Sequence, residues 1–154
     1  MPTGKKQRRR YSGWAPLSQF CIHSGDALHL PDDRNPRNYH TCIVISDTDA
    51  EPNDIVCVPI VTFDPDHPIE ETCLLDPKNY PACRFLKHLS EVDYRFGHIR
   101  PAVGIAKLLR SGKAQRKERA PSEMLAAIRH GVEETDRLPE ESRALLVQQN
   151  LISA

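Results

Sequence analysis

The chain has 154 residues, enough for one domain with a real core, and its 21 Lys and Arg balance 21 Asp and Glu. No run reaches the roughly 18 apolar residues of a membrane span, and no apolar segment follows the basic N-terminus as it would in a secretory leader. Five cysteines without a CxxC pair predict reduced thiols and a cytoplasmic protein.

Zero net charge conceals an asymmetry along the chain. Lys5, Lys6, Arg8, Arg9 and Arg10 form a basic run, and Lys107 to Arg119 form another, diluted only by Glu118. Between Asn38 and Pro77 there are nine acids and no Lys or Arg. Basic segments of this kind can hold phosphates, and Tyr11 and Trp14 beside the first run can stack on bases.

Residues 1–17 carry Gly, Pro, Ser and charge without periodicity and are expected to form a flexible arm. Leu17 to His23 reads as a short strand or helical turn, and Gly25 to Leu30 as a strand. Its period of two turns Ala27 and His29 one way and Leu28 and Leu30 the other. Pro31 to Tyr39 is a polar loop with two prolines, and it carries Arg34 and Arg37. His40 to Ser46 and Ile55 to Thr62 are runs of β-branched and apolar residues around a cluster of turn formers, the pattern of a β-hairpin. Both runs are apolar at successive positions, as in strands buried on both faces in the wall of a small barrel.

Thr72 to Leu75, Cys83 to His88 and Ser90 to Arg95 continue as short strand-like pieces between Pro, Asp and Asn clusters. That spacing predicts a small antiparallel sheet of about six strands closed into a barrel. The period then changes. Ala102 to Leu109 reads as a short helix, 111–120 as a basic flexible link, and Pro121 to Val132 as a helix with Met124, Leu125, Ile128 and Val132 in one stripe and Ser122 as its cap. A last helix begins near Pro139 and turns Leu145, Leu146 and Gln149 inward. The expected fold is mainly β with C-terminal helices: an arm over 1–17, a barrel over 18–120, and helices over 121–152 packed on the barrel.

No cofactor is expected, because the seven glycines form neither GxGxxG nor GxxxxGK and there is no GxSxG. No metal is expected either: Cys21-Ile-His23 and the Cys83/His88 pair lack the spacing of structural zinc.

Five segments, in order, resemble the MazF/PemK family of toxin ribonucleases from bacterial toxin–antitoxin pairs. Gly25-Asp26 with the strand after it looks like the family's opening Gly-Asp strand. His40-Thr-Cys-Ile-Val-Ile-Ser46 resembles its Arg-Pro-x-Val-Val-x-Ser strand, and Val58-Pro-Ile-Val-Thr62 its Val-Pro-Ile-Thr-Ser strand. Lys87 to Asp93 sits where the family has Asp-Gln-x-Arg-Thr-x-Asp, and Pro121 to Val132 matches its C-terminal helix in pattern. The resemblance covers roughly residues 24–132. It implies an SH3-like barrel, a homodimer, metal-free cleavage of single-stranded RNA, and an antitoxin protein as partner. It also implies an arginine at the start of the second strand and a threonine or serine at the end of the third. Here the first is His40, and the hydroxyl falls at Thr62, one residue late, because Val61 takes the usual place. A one-residue shift reverses a strand side chain's face unless a bulge absorbs it.

Cleavage of this kind needs a base for the 2′-hydroxyl, a cation for the phosphate and an acid for the departing 5′-oxygen. Histidine serves as base or acid, and arginine's planar fork suits phosphate. The expected catalytic set is His40 and His88 for proton transfer, Arg37 or Arg34 on the phosphate, and Thr62 orienting it. Arg34, Lys87, Arg8, Arg9 and Arg10 are expected to bind RNA. The contrasting expectation is a catalytically inactive SH3-like barrel that binds a protein or nucleic acid, and the nine-acid stretch favours it by repelling RNA.

Overall fold

The computed structural model describes residues 21–32, 34–48 and 54–154. The expected basic arm with Arg8, Arg9 and Arg10 lies outside the described residues, as does the tip of the central hairpin. Among the described residues, seven strands form one antiparallel sheet. They are β1 (Ala27–Pro31), β2 (Tyr39–Val44), β3 (Asp54–Thr62), β4 (Leu74–Leu75), β5 (Ser90–Val92), β6 (Ile99–Pro101) and β7 (Gln115–Arg116). Three helices accompany them: α1 (Ala102–Arg110), α2 (Ser122–Glu134) and α3 (Glu140–Gln148). None is long and apolar enough to cross a membrane.

The strand path runs β4-β5-β3-β2-β1-β7. The nine-residue β3 carries two partners in succession, β6 on Asp54–Val56 and β5 on Ile60–Thr62. The sheet is not closed, which corrects the expectation of a closed barrel of about six strands. Its end strands β4 and β7 have two residues each, too short for a ladder that would join them.

Successive apolar positions in β2 and β3 serve two cores, as their pattern predicts. Ala27, Ile43, Ile45, Val56 and Val58 join Met124, Ile128 and Val132 of α2 and Leu146 of α3. Leu28, Leu30, Cys42, Val44, Ile55 and Cys57 face the other way and meet Ile105 of α1. Each fully buried aliphatic side chain contributes about 1.5–3 kcal/mol. Four of the five cysteines are buried and none forms a disulfide.

Three local expectations are corrected. Cys83 to His88 is not a strand but a pair of turns, closed by Cys83 N–H to Tyr80 O (3.0 Å) and Leu86 N–H to Cys83 O (3.2 Å). Its buried residues, Cys83 and Leu86, recur at three rather than two. Residues 111–120 are not a loose link. Lys117 N–H donates to Ala27 O and Ala120 N–H to Gly25 O, both at 2.8 Å, and Ala114 and Ala120 are buried. Ser122 is the first residue of α2 rather than its cap; Pro121 holds that position and no side-chain cap bond forms. Cys21 to His23 is irregular, and the rest of the expected Leu17–His23 element lies outside the described residues.

Polar clasps join the layers. Asp26 accepts from the His23 N–H (2.8 Å) and pairs with Arg116 of β7. Gly25 beside it has φ +88°, a conformation that glycine adopts without strain. The Gly25-Asp26 pair therefore shapes the sheet edge. Arg129 of α2 donates from Nε to Ile45 O (2.9 Å) and from Nη2 to Ser24 Oγ (2.7 Å), and burial lowers its pKa. Gln149 brackets Asp47, accepting its N–H (2.8 Å) and donating to its carbonyl (3.0 Å).

Tyr94 is fully buried and donates to Ile128 O (2.7 Å) in the middle of α2, and burial pushes its phenol pKa well up. A Cβ at Gly131 would lie 2.1 Å from Tyr94 Oη. Gly131→Ala is therefore expected to destabilise by about 1–3 kcal/mol in urea unfolding. Helix propensity alone predicts the opposite sign, a gain of about 1 kcal/mol. Adding Tyr94→Phe removes the nearest atom and should recover part of the loss.

Candidate functional site

The second core stops short of the sheet's end. Helix α1 covers Val44, Ile55 and Cys57 through Ile105, but beyond them the same face opens into a cleft of about 180 Å³. Its floor is apolar: Leu30, Cys42, Cys57, Pro59 and Val61. Strand pairing aligns these residues, with Leu30 opposite His40 and Cys42 opposite Pro59. Polar groups stand on the rim.

His40 enters from the start of β2. Its Nε2 is 3.5 Å from Asp32 Oδ2, and the imidazole is about one-third exposed (37 %). Asp32 follows β1, and its Oδ1 accepts the Arg34 N–H at 2.8 Å. That bond, aided by the charges of Arg34 and His40, holds the Asp32 carboxyl below the usual carboxylate range. Asp32 thus keeps a negative charge beside His40 at neutral pH. Arg34 lays its guanidinium over the Phe96 ring, 4.0 Å from the centroid. Stacking of this kind fixes a long side chain that would otherwise be mobile.

The opposite rim comes from Asp93 to Arg100. Asp93 is buried, its N–H donates to Pro59 O (3.0 Å), and it accepts two 2.9 Å bonds from Arg95. This fork neutralises Asp93 within its own turn. His98 and Arg100 also line the cleft. The pairing of β6 with the first half of β3, Arg100 opposite Ile55, brings them there.

Of the expected catalytic residues, His40 lines the cleft, and so does Arg34 from the expected RNA-binding set. The others do not. Thr62 is exposed and opposite Ser90, in a register that runs without a bulge from Ile60/Val92 through Val61/Glu91. Val61 lines the cleft, so the pleat turns Thr62 to the other face. Arg37 is exposed in the loop, its N–H donating to Asn35 Oδ1. His88 is exposed, and its carbonyl accepts from Ser90 Oγ (2.8 Å). Lys87 borders a separate groove with Arg84, Phe85 and Lys117. Arg8, Arg9 and Arg10 lie outside the described residues.

Sequence reasoning missed Asp93, Phe96, His98 and Arg100. The signal available was the alternation of cations and aromatics from Arg95 to Arg100 around Gly97. Gly97 lies close against Val58 and Leu138, where a Cβ would come within 2.8 Å of either. Among the described residues, no group of three or more His, Cys, Asp or Glu is arranged to hold a metal ion.

No known protein family, no curated protein and no solved structure matches this chain.

Proposed function

We propose that the chain is a MazF/PemK-like endoribonuclease that cleaves single-stranded RNA without a metal, as the toxin of a toxin–antitoxin pair. On this reading the open sheet is a variant of the family's SH3-like barrel. The protein acts in the cytoplasm as a homodimer and is neutralised by an antitoxin that occupies the cleft. The observation that carries the reading is the convergence of two imidazoles, His40 and His98, with Arg34 and Arg100 around one small cleft.

The chemistry balances with these groups alone. One imidazole takes the proton of a 2′-hydroxyl, whose oxygen attacks the adjacent phosphorus. Arg34 and Arg100 stabilise the charge that grows on the phosphoryl oxygens. The bond from phosphorus to the 5′-oxygen breaks, and the second imidazole, as imidazolium, protonates that oxygen. Asp32 orients His40 through its 3.5 Å contact with Nε2, and on this reading His40 takes the acid role and His98 the base role. The products are a 2′,3′-cyclic phosphate and a 5′-hydroxyl.

Incubation of the full chain with a mixed-sequence single-stranded RNA in excess EDTA tests this. Fragments ending in cyclic phosphate are expected, at the same rate with and without EDTA. Absence of cleavage, or its loss in EDTA, overturns the proposal. Val61 favours a second reading, a cleft that binds RNA without cutting it, since an apolar residue stands where the family resemblance implies a hydroxyl. That reading predicts RNA binding with no cyclic phosphate.

A further inference from the structure

A second groove lies at the β7 edge of the sheet, lined by residues other than those of the cleft. Arg84, Lys87 and Lys117 lie around Phe85 there, with Arg116 and a single acid, Glu118. Among the described residues, no salt bridge engages these three cations. Arg116, also on the groove, is committed to Asp26 and to the Cys21 carbonyl, which fixes β7 as a rigid wall. Cations that outnumber the groove's one acid and lie beside an aromatic ring attract a polyanion. Structural needs do not account for them, because Cys83 and Leu86 already anchor the 83–88 turns in the core.

The face continues from the groove toward the cleft. Lys117 hydrogen-bonds to Ala27 of β1, and two residues further on His29 stacks with the exposed Tyr39, ring centroids 5.1 Å apart and planes 21° apart. Burial, then Lys117, then His40 lower the pKa of His29, so that side chain stands within the electrostatic reach of both the groove and the cleft. Tyr39 precedes His40 in β2, and the pleat sends the two side chains to opposite faces. A strand crossing the end of the β1–β2 pair would therefore pass from Tyr39 to His40.

We propose that Arg84, Lys87, Lys117, Phe85 and Tyr39 form a track for single-stranded RNA, separate from the cleft and leading to it. The cations meet successive phosphates and the two aromatic rings offer faces to bases. Aromatic faces distinguish this track from a dock for an acidic peptide, which needs cations alone. The choice of RNA as ligand rests on the proposed function, while binding itself does not depend on cleavage.

Binding is measured on the full chain carrying His40→Ala and His98→Ala, so that the probe stays intact. The probe is a labelled 20-nucleotide single-stranded RNA of mixed sequence, titrated from about 50 to 200 mM salt. Adding Arg84→Gln, Lys87→Gln and Lys117→Gln is expected to weaken binding at least about tenfold and to lower the salt slope by about two, at roughly 0.7 per phosphate contact. Tyr39→Ala is expected to weaken binding about tenfold with the slope unchanged, the signature of lost stacking. Unchanged urea midpoints establish that the variants are folded. Affinity and slope that persist in the triple variant overturn the track, as does equal competition by polyglutamate at matched charge. RNA that binds the track of a chain that never cleaves it would sink the ribonuclease and leave the track standing.

Discussion

Glu91→Ala is expected to lower the stability of the fold by about 3–5 kcal/mol, the lower part of the range for three stranded backbone donors. Glu91 is 1 % exposed, and its carboxylate accepts three backbone N–H groups in succession. Oε2 accepts from Ile69 (3.0 Å), and Oε1 from Glu70 (3.0 Å) and Glu71 (3.2 Å). Glu71 adopts a left-handed backbone, φ 54°, which curls the segment so that three donors point at one place. Such a concavity of N–H groups is an anion site, and the chain fills it with its own side chain. Deleting the carboxylate leaves three donors without an acceptor, each costing about 1–3 kcal/mol if it stays buried. Glu91→Gln keeps one acceptor oxygen but turns an amide NH₂ toward a donor, so it should fall between wild type and alanine. Urea unfolding followed by circular dichroism reads both variants. An alanine variant within 1 kcal/mol of wild type would mean that the loop simply opens to water.

The same carboxylate explains how strand β5 is anchored. Glu91 sits opposite Val61 and Leu74, between the end of β3 and the edge strand β4. From the sequence, a glutamate between Ser90 and Val92 reads as a solvent-facing position in an alternating strand. Nothing local distinguishes it from such a residue, because its partners are backbone groups some 20 positions away. The hairpin is different. Ile43, Val44, Ile45, Ile55, Val56, Cys57 and Val58 carry their double-sided burial in their own composition, and α2 carries its stripe at its own period. Self-contained patterns of this kind were legible. Sheet closure was not, since it depends on whether two end strands meet: β4 lies within the expected Thr72–Leu75 strand, but β7, two residues in a basic segment, carries no strand pattern.

The site divides along the same line. His40 and Arg34 were legible because they flank a recognisable strand. Thr62 was expected at the site as the nearest hydroxyl to the motif's end, but the strand period decides its face, and the continuous pairing with β5 leaves no bulge to reverse it. His88 was expected from a strand over 83–88, and those residues form turns. His98 was missed because it reaches the cleft through β6, three residues that pair with the far half of β3. Its place is set by a contact more than 40 positions away, beyond any local pattern.

That difference in placement gives the second large effect. His40→Ala and His98→Ala are each expected to reduce RNA cleavage by about 10²–10⁴-fold, the usual worth of a positioned acid or base. His88→Ala and Thr62→Ala are expected to leave cleavage within about threefold of wild type, because a group outside hydrogen-bond reach transfers no proton. The double variant should lose little more than either single one, since a base without its acid partner is already crippled. Imidazole titrates near neutrality, so one neutral and one charged ring working together give a bell-shaped dependence of kcat/KM on pH. Each single variant should lose one limb of that bell: His98→Ala the acidic limb, set by the base, and His40→Ala the alkaline limb, set by the acid. Asp32→Asn supplies an independent check, because it keeps the size of the residue beside His40 and removes its charge. Removing its charge loosens the placement of the His40 ring, so kcat should fall while KM changes little. Full activity in His98→Ala, with a sharp loss in His88→Ala, would return the proton transfers to the pair flanking the two motif strands and leave the cleft's far rim without a role in cleavage.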